Sequence, residues 1–179
     1  MQARASDTVT DDQQTAFLAA LDRHKALLYK VVNAYCRRRE DRSDLIQDMV
    51  LELWRAWPGY DARAAVSTWM YRIAVNVAIS AFRGERRRIR DALPIEDFGM
   101  DLVAADRIMD SESDDLRALH QLISRLDAVN RALILLYMEG YGQQEIADML
   151  GISASNVATR VSRIKQRLQR DHAASETSP

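Results

Sequence analysis

The sequence predicts an all-α protein: two helical domains joined by an acidic linker. Three observations carry that prediction. Six Gly and three Pro in 179 residues are too few for the many turns of a sandwich or barrel. Apolar residues recur at helical spacing over long stretches of both ends of the chain. Charge is unevenly placed: residues 91–116 hold nine Asp+Glu against one Lys+Arg, net -8, whereas 1–90 carry net +5 and 117–179 net +2. The overall net charge of -1 thus averages two basic blocks and an acidic one. It does not exclude a nucleic-acid partner.

The elements follow in order. Residues 1–14 are polar and read as a flexible start. From Thr15 a helical period runs through Phe17, Leu18, Leu21, Leu27, Leu28, Val31, Val32 and Tyr35, and the charged run Arg37–Arg42 breaks it. Ser43 is placed to cap a second helix carrying Leu45, Ile46, Met49, Val50, Leu53 and Trp54. Pro58-Gly59 ends it, and residues 59–66 read as a loop. A long helix then spans about Ser67 to Arg88. Residues 91–113, with Pro94, Gly99 and the acidic excess, read as a linker. Ser111 or Ser113 is placed to cap a helix with Leu116, Leu119, Leu122, Ile123 and Leu126 on one stripe. Further helices follow at 130–139, 143–150 and 154–168, then a flexible tail, 171–179. The domains are therefore 15–90 and 114–170.

Composition excludes several classes. One cysteine, Cys36, rules out an internal disulfide framework and a Cys-based zinc cluster. No apolar run approaches the roughly 20 residues that span a bilayer, and Met1 to Asp12 lack a signal-peptide core. A cytoplasmic protein without membrane insertion is the expectation. His24, His120 and His172 are joined by no motif, and neither a catalytic triad, a phosphate loop nor a metal cluster is visible. The expectation is a non-enzyme with no cofactor and no metal.

Residues Gln143–Lys165 have the spacing of a helix-turn-helix. Small Ala147 lies where two helices cross, Gly151 supplies a left-handed turn, and Ser153 caps the second helix. Val157, Val161, Ile164 and Leu168 form its buried face. The opposite face offers Ser155, Asn156, Thr159 and Arg163, with Arg160 near its edge. Short polar and Arg side chains suit base edges and phosphates in a major groove.

The helix from Ser67 carries a second pattern. Arg72, Asn76, Ser80, Arg83, Arg86, Arg87 and Arg90 fall within about 120° at 100° per residue, with Trp69 on the same side. Arg beside Trp suits backbone phosphates and a stacked base. An amphipathic helix with a solvated Arg end has the same pattern.

Together these motifs resemble the extracytoplasmic function (ECF) group of bacterial sigma factors, the smallest of the sigma-70 family, over about residues 15–90 and 116–168. Asp44-Leu45-Ile46-Gln47-Asp48 to Leu53-Trp54 is similar to region 2.2. The resemblance implies that Asp44, Gln47, Asp48, Leu51 and Trp54 bind the clamp helices of the largest subunit of core RNA polymerase. Ser67 to Asn76 and the Arg cluster look like regions 2.3 and 2.4, so Trp69, Arg72, Asn76, Arg83, Arg86 and Arg87 would open and read the -10 element, with a base pocket partly in the loop from Tyr60 to Ser67. Glu139 to Arg160 is similar to region 4, so Ser155, Asn156, Thr159, Arg160 and Arg163 would read the -35 element and the domain would meet the polymerase flap region. The implied partners are core RNA polymerase, promoter DNA and an anti-sigma factor. The alternative is a helix-turn-helix regulator acting on duplex DNA without polymerase. The acidic stretch corresponds to a family linker that threads toward the polymerase active-site cleft, where its charge would either mimic RNA or serve as a solvated tether. Two departures stand out: Leu126-Asp127 replaces the family's usual Leu-Pro, and Ala158 stands where a basic residue usually follows the Val. The family's -35 sequence is therefore not carried over.

Overall fold

The computed structural model describes residues 11–36, 38–84 and 114–176. Seven α-helices stand among them: α1 Asp11–Tyr35, α2 Arg39–Ala56, α3 Val66–Phe82, α4 Asp114–Ile123, α5 Ala128–Met138, α6 Gln143–Leu150 and α7 Ala154–Glu176, with a 3₁₀ turn at Trp57–Gly59. The all-α prediction holds. The linker, and the two serines proposed as caps within it, lie outside the described residues.

The N-terminal half is a bundle of α1, α2 and α3. Leu21, Leu28, Val31 and Val32 of α1 meet Ile46, Met49 and Leu53 of α2 and Met70, Tyr71, Ala74 and Ala78 of α3 in one buried core. In the C-terminal half, α5, α6 and α7 enclose Leu133, Leu136, Ile146, Val157 and Ile164. Two glycines with positive φ close its helices. Gly140 (φ 87) follows α5, and Gly151 (φ 67) follows α6, where the Ile152 N–H doubles back to the Ala147 carbonyl at 3.1 Å.

Several boundaries move. The second helix begins at Arg39, so Ser43 lies inside it and caps nothing; Arg38 is the N-cap, with no side-chain capping bond. Good helix formers at Arg39 and Glu40, and acidic residues near a helix N-terminus, favour this earlier start. The first helix likewise begins at Asp11 rather than Thr15, with Asp11 and Asp12 in its first turn. The third ends at Phe82, where Gly84 adopts φ 69, so the helix does not reach Arg88. The last runs to Glu176, replacing part of the expected flexible tail. Ala173, Ala174 and Glu176 all favour helix, and the next Pro is Pro179.

The two halves pack on each other. Tyr35 donates its hydroxyl proton to the Ala128 carbonyl, and Lys30 pairs with Glu139 at 2.8 Å. Tyr71 and Tyr141 meet with ring centroids 5.8 Å apart. Arg131, only 3% exposed, is the main polar group in the seam. It donates to the carbonyls of Ala34 (3.1 Å), Leu126 (2.9 Å) and Ser124, and its guanidinium lies over the rings of Tyr35 (5.1 Å) and Phe82 (4.6 Å). Three carbonyl dipoles and two ring faces offset the loss of water around the charge.

Packing at the seam also sets an alkaline limit. Burial, reinforced by Asp41, pushes the Cys36 thiol up to about 11. Burial raises the Tyr35 and Tyr71 phenols as well. Each group ionises more readily in the unfolded chain, so the folded state binds more protons at high pH. The stabilisation is intact below an unfolded thiol value near 9 and is lost as pH rises through about 11. Urea midpoints measured under reducing conditions should fall from about pH 9 upward, and Cys36→Ser should move the onset toward the tyrosine range near 10.

Candidate nucleic-acid interface

Three surfaces carry the residues singled out above. On α2, Leu45, Ile46, Met49, Val50 and Leu53 turn inward, which leaves Asp44 exposed and Gln47, Asp48 and Leu51 half-buried along the outer side. Trp54 is also half-buried. Its ring packs edge-on against Phe17 (5.0 Å between centroids), so it anchors the start of α1 as well as lining this face. Glu52 and Arg55 pair at 3.2 Å beside it. The result is a shallow acidic and amide surface over a firm apolar base.

On α3, Arg72, Asn76 and Arg83 are exposed and Ser80 is half-buried, as the periodicity predicts. Trp69 differs: it is 9% exposed and belongs to the edge of the core. Two aromatics from the preceding turn cover it, Tyr60 at 5.1 Å and Trp57 at 5.9 Å, and these stack on each other at 5.6 Å. The ring therefore braces an aromatic cluster and offers little open face to a base. Trp57 carries no helical period and the sequence pattern does not single it out, whereas Tyr60 stands at the start of the loop that the resemblance assigns to the base pocket. The loop that follows is exposed from Asp61 to Ala65 and is held in shape. The Tyr60 hydroxyl donates to the Ala64 carbonyl at 2.8 Å, the Arg63 guanidinium pairs with Asp61 at 2.9 Å, and Ala62 adopts φ 59. A non-glycine residue in the left-handed region marks a backbone constrained by its surroundings. Arg86 and Arg87 lie outside the described residues.

Asn76 is exposed, yet its side-chain amide donates to the Met149 carbonyl of α6 at 3.2 Å. A residue assigned to the N-terminal surface is thus bonded to the C-terminal half.

The third surface is the helix-turn-helix, and its geometry follows the sequence closely. Ala147 is buried at the crossing of α6 and α7, and the Ser153 hydroxyl accepts the Asn156 N–H at 3.2 Å. Glu145 reaches back to the Gly142 N–H at 2.8 Å, closing the start of α6. Val157, Val161 and Ile164 are buried, and Ser155, Asn156, Thr159 and Arg163 are exposed on the opposite side. Arg160 is half-buried: Asn156 accepts from its Nε at 2.8 Å and Asn130 from its Nη1 at 3.1 Å. A notch of about 350 Å³ opens here between α5 and α7, lined by Asn130, Asn156, Thr159, Arg160, Arg163 and Arg167. Asn130 and Arg167 are residues that the sequence pattern of α7 did not single out, since one lies on another helix and the other beyond the turn of the motif. Among the described residues no group of acids, histidines and cysteines is placed to hold a metal ion, and no helix is long and apolar enough to cross a membrane.

An acidic face on α2, an Arg-bearing helix beside an aromatic loop, and a helix-turn-helix with a basic notch are the combination expected of a two-module transcription-initiation factor. Comparison with known proteins agrees module by module. Residues 20–88 match the model for Sigma-70 region 2, and residues 116–168 match the model for Sigma-70, region 4. The chain is 31% identical over 156 residues to the ECF RNA polymerase sigma factor SigM of Mycobacterium tuberculosis, covering 87% of this chain and 76% of that protein. It is 29% identical to the RNA polymerase sigma factor NccH of Alcaligenes xylosoxydans xylosoxydans, covering 87% and 86%. Among solved structures, CnrH in complex with the cytosolic domain of CnrY superposes with a TM-score of 0.62 at 25% identity, over 90% of each chain. The sigma factor RpoE of Bartonella quintana, solved with the anti-sigma factor NepR, shares the fold (TM-score 0.61, 19% identity, 90% and 96% covered). The chain belongs to the sigma-70 family, in its extracytoplasmic function group.

Proposed function

We propose that this sigma factor binds core RNA polymerase and directs promoter-specific initiation with a division of labour that follows its surfaces. The outer side of α2, through Asp44, Gln47, Asp48, Leu51 and Trp54, docks on the clamp helices of the largest subunit. Arg72, Asn76 and Arg83, with Arg86 and Arg87 beyond, meet the -10 element, while Trp69 acts from beneath, bracing Trp57, Tyr60 and the loop that receives an unpaired base. Unpairing requires a few kcal/mol, which stacking and edge contacts offset. Ser155, Asn156, Thr159, Arg160 and Arg163 read the -35 duplex, and the C-terminal module also meets the flap region. The acidic stretch 91–113 joins the two modules. The protein acts as a polymerase subunit, not as an enzyme, in the cytoplasm where polymerase and promoter are.

The observation that carries this reading is the presence of both modules in one chain. A duplex-only regulator would use the helix-turn-helix and leave the α2 face and the α3 stripe without work. The bond from Asn76 to Met149 adds a requirement: the C-terminal half must move off α3 before that amide meets DNA. An anti-sigma factor is a proposed partner as well, because the two solved structures named above were each captured with a second protein, named an anti-sigma factor in one.

Run-off transcription with purified chain and core polymerase tests the assignment. Transcripts from a defined set of genomic promoters are expected, and failure to bind core or support any transcript would end it. Asp44→Arg, at an exposed site that leaves packing untouched, and Asp48→Arg should each weaken co-elution with core by about tenfold or more by reversing charge toward a basic surface. Their helical circular dichroism should match the parent. Undiminished association of both variants would move the polymerase contact off α2.

A further inference from the structure

Arg160 is held at two points, and one of them is reached through a chain of fixed groups. Asn156 stands one turn before it on α7, so that bond is local. Asn130 belongs to α5, 30 residues earlier, and its Oδ1 accepts from Arg160 Nη1 at 3.1 Å. The Asn130 amide is itself oriented. Its Nδ2 donates to Asp127 Oδ2, while Asp127 Oδ1 accepts the Asn130 backbone N–H at 3.0 Å. Asp127 is the N-cap of α5 and stands where the resemblance led one to expect proline. Its two carboxylate oxygens therefore perform two tasks: one caps the helix, and the other decides which end of the Asn130 amide faces Arg160. With the opposite orientation an NH₂ would face the guanidinium, donor against donor.

We propose that Asn130 is a positioning residue for promoter reading, and that Asp127, Asn130 and Arg160 form a relay which presents the guanidinium to DNA in a fixed plane. A guanidinium has five N–H donors in a rigid fork. Asn156 and Asn130 take two, one at Nε and one at Nη1. Three remain, including both on Nη2, and the plane that carries them is no longer free to rotate. Such a fork matches a pair of coplanar acceptors, which DNA offers as the O6 and N7 of guanine or as two phosphate oxygens. Holding the plane before contact removes part of the ordering entropy that a free Arg loses on binding. The inference rests on the proposed reading of the -35 element by α7.

A double-mutant cycle tests it with holoenzyme and promoter duplex. Asn130→Ala should weaken binding by about 3- to 10-fold, Arg160→Ala by more, and the double variant no further than Arg160→Ala alone. Asn130→Ala removes no charge, so the salt dependence of binding should keep its slope, whereas Arg160→Ala should lower it by about one. Asp127→Asn is the second variant. It keeps a capping oxygen for α5 but places an NH₂ opposite the Asn130 amide, which turns that amide away. It should match Asn130→Ala in binding while its melting temperature stays near the parent's. Promoters with 7-deazaguanine at single -35 positions separate the sources. Convergence of parent and Asn130→Ala at one position identifies a guanine edge, and an equal deficit at all positions identifies a phosphate; both support the relay. Additive losses in the cycle, or parental affinity for Asn130→Ala and Asp127→Asn beside a weakened Arg160→Ala, would overturn the relay alone. An Arg160→Ala variant at parental affinity would remove Arg160 from the proposed -35 contact and the relay with it.

Discussion

Replacing Arg131 by Ala is expected to lower the unfolding free energy by about 3–5 kcal/mol, the largest effect on stability of any single polar substitution in the described residues. The side chain is almost fully buried, and it donates to the main-chain carbonyls of Ala34, Ser124 and Leu126. Truncation would leave those carbonyls without their charged donor in a place with little access to water. It would also empty the space between the rings of Tyr35 and Phe82. Two controls separate the contributions. Arg131→Met restores apolar volume but no donor, so it should recover only the packing part. Arg131→Lys keeps the charge but lacks the planar fork, so a single ammonium cannot satisfy carbonyls that lie in different directions. The order of denaturant midpoints should be parent, Lys, Met, Ala. Because Ala34 and Phe82 belong to one half and Arg131 to the other, the Ala variant should also loosen the seam. Its radius of gyration by solution scattering should exceed the parent's under native conditions. Equal midpoints for parent and Ala variant would show that the seam is not held by this residue.

That buried arginine illustrates what the sequence left unread. Helical periodicity finds apolar stripes, and it found those of α1, α2 and α3, and the buried face of α7, because each is set by spacing within one helix. The turn at Gly151 and the cap at Ser153 were equally legible, since a left-handed backbone and an unsatisfied N–H make local demands. Contacts between distant segments leave no such trace. Trp69 falls on the polar side of its helix by angle, but Trp57 and Tyr60 arrive from the preceding turn and cover it. Asn76 falls on the same stripe, and its bond to Met149 spans 73 positions. Ser43 resembled a cap because it precedes an apolar run, yet the charged residues before it are themselves adequate helix formers. Asp127 was legible as a departure from the family pattern. Its use became visible only once α5 and α7 were seen side by side.

Removing both Arg160 and Arg163 should produce the largest loss in DNA binding. The double Ala variant is expected to bind -35 duplex within holoenzyme about 2–4 kcal/mol less tightly, roughly 30- to 1,000-fold, with the salt slope reduced by about two. The two side chains should not contribute alike. Arg160 is clamped by Asn156 and Asn130 at the rim of the notch, whereas Arg163 lies one turn further along the exposed side of α7. A clamped fork suits discrimination, because misplaced acceptors find no donor in its fixed plane. A phosphate, whose oxygens accept from many directions, places less demand on the plane of an arginine such as Arg163. Arg160→Ala should therefore compress the difference in affinity between the preferred and altered -35 sequences. Arg163→Ala should weaken all sequences by a similar factor. Net charge supports this division: the C-terminal block is only +2, so each arginine carries a large share of its attraction for DNA. Free chain should accordingly bind promoter duplex weakly at physiological salt and depend on core polymerase to hold both modules on the promoter. Tight binding by the free chain, or an unchanged salt slope in the double variant, would show that the charge on α7 is not what holds the duplex.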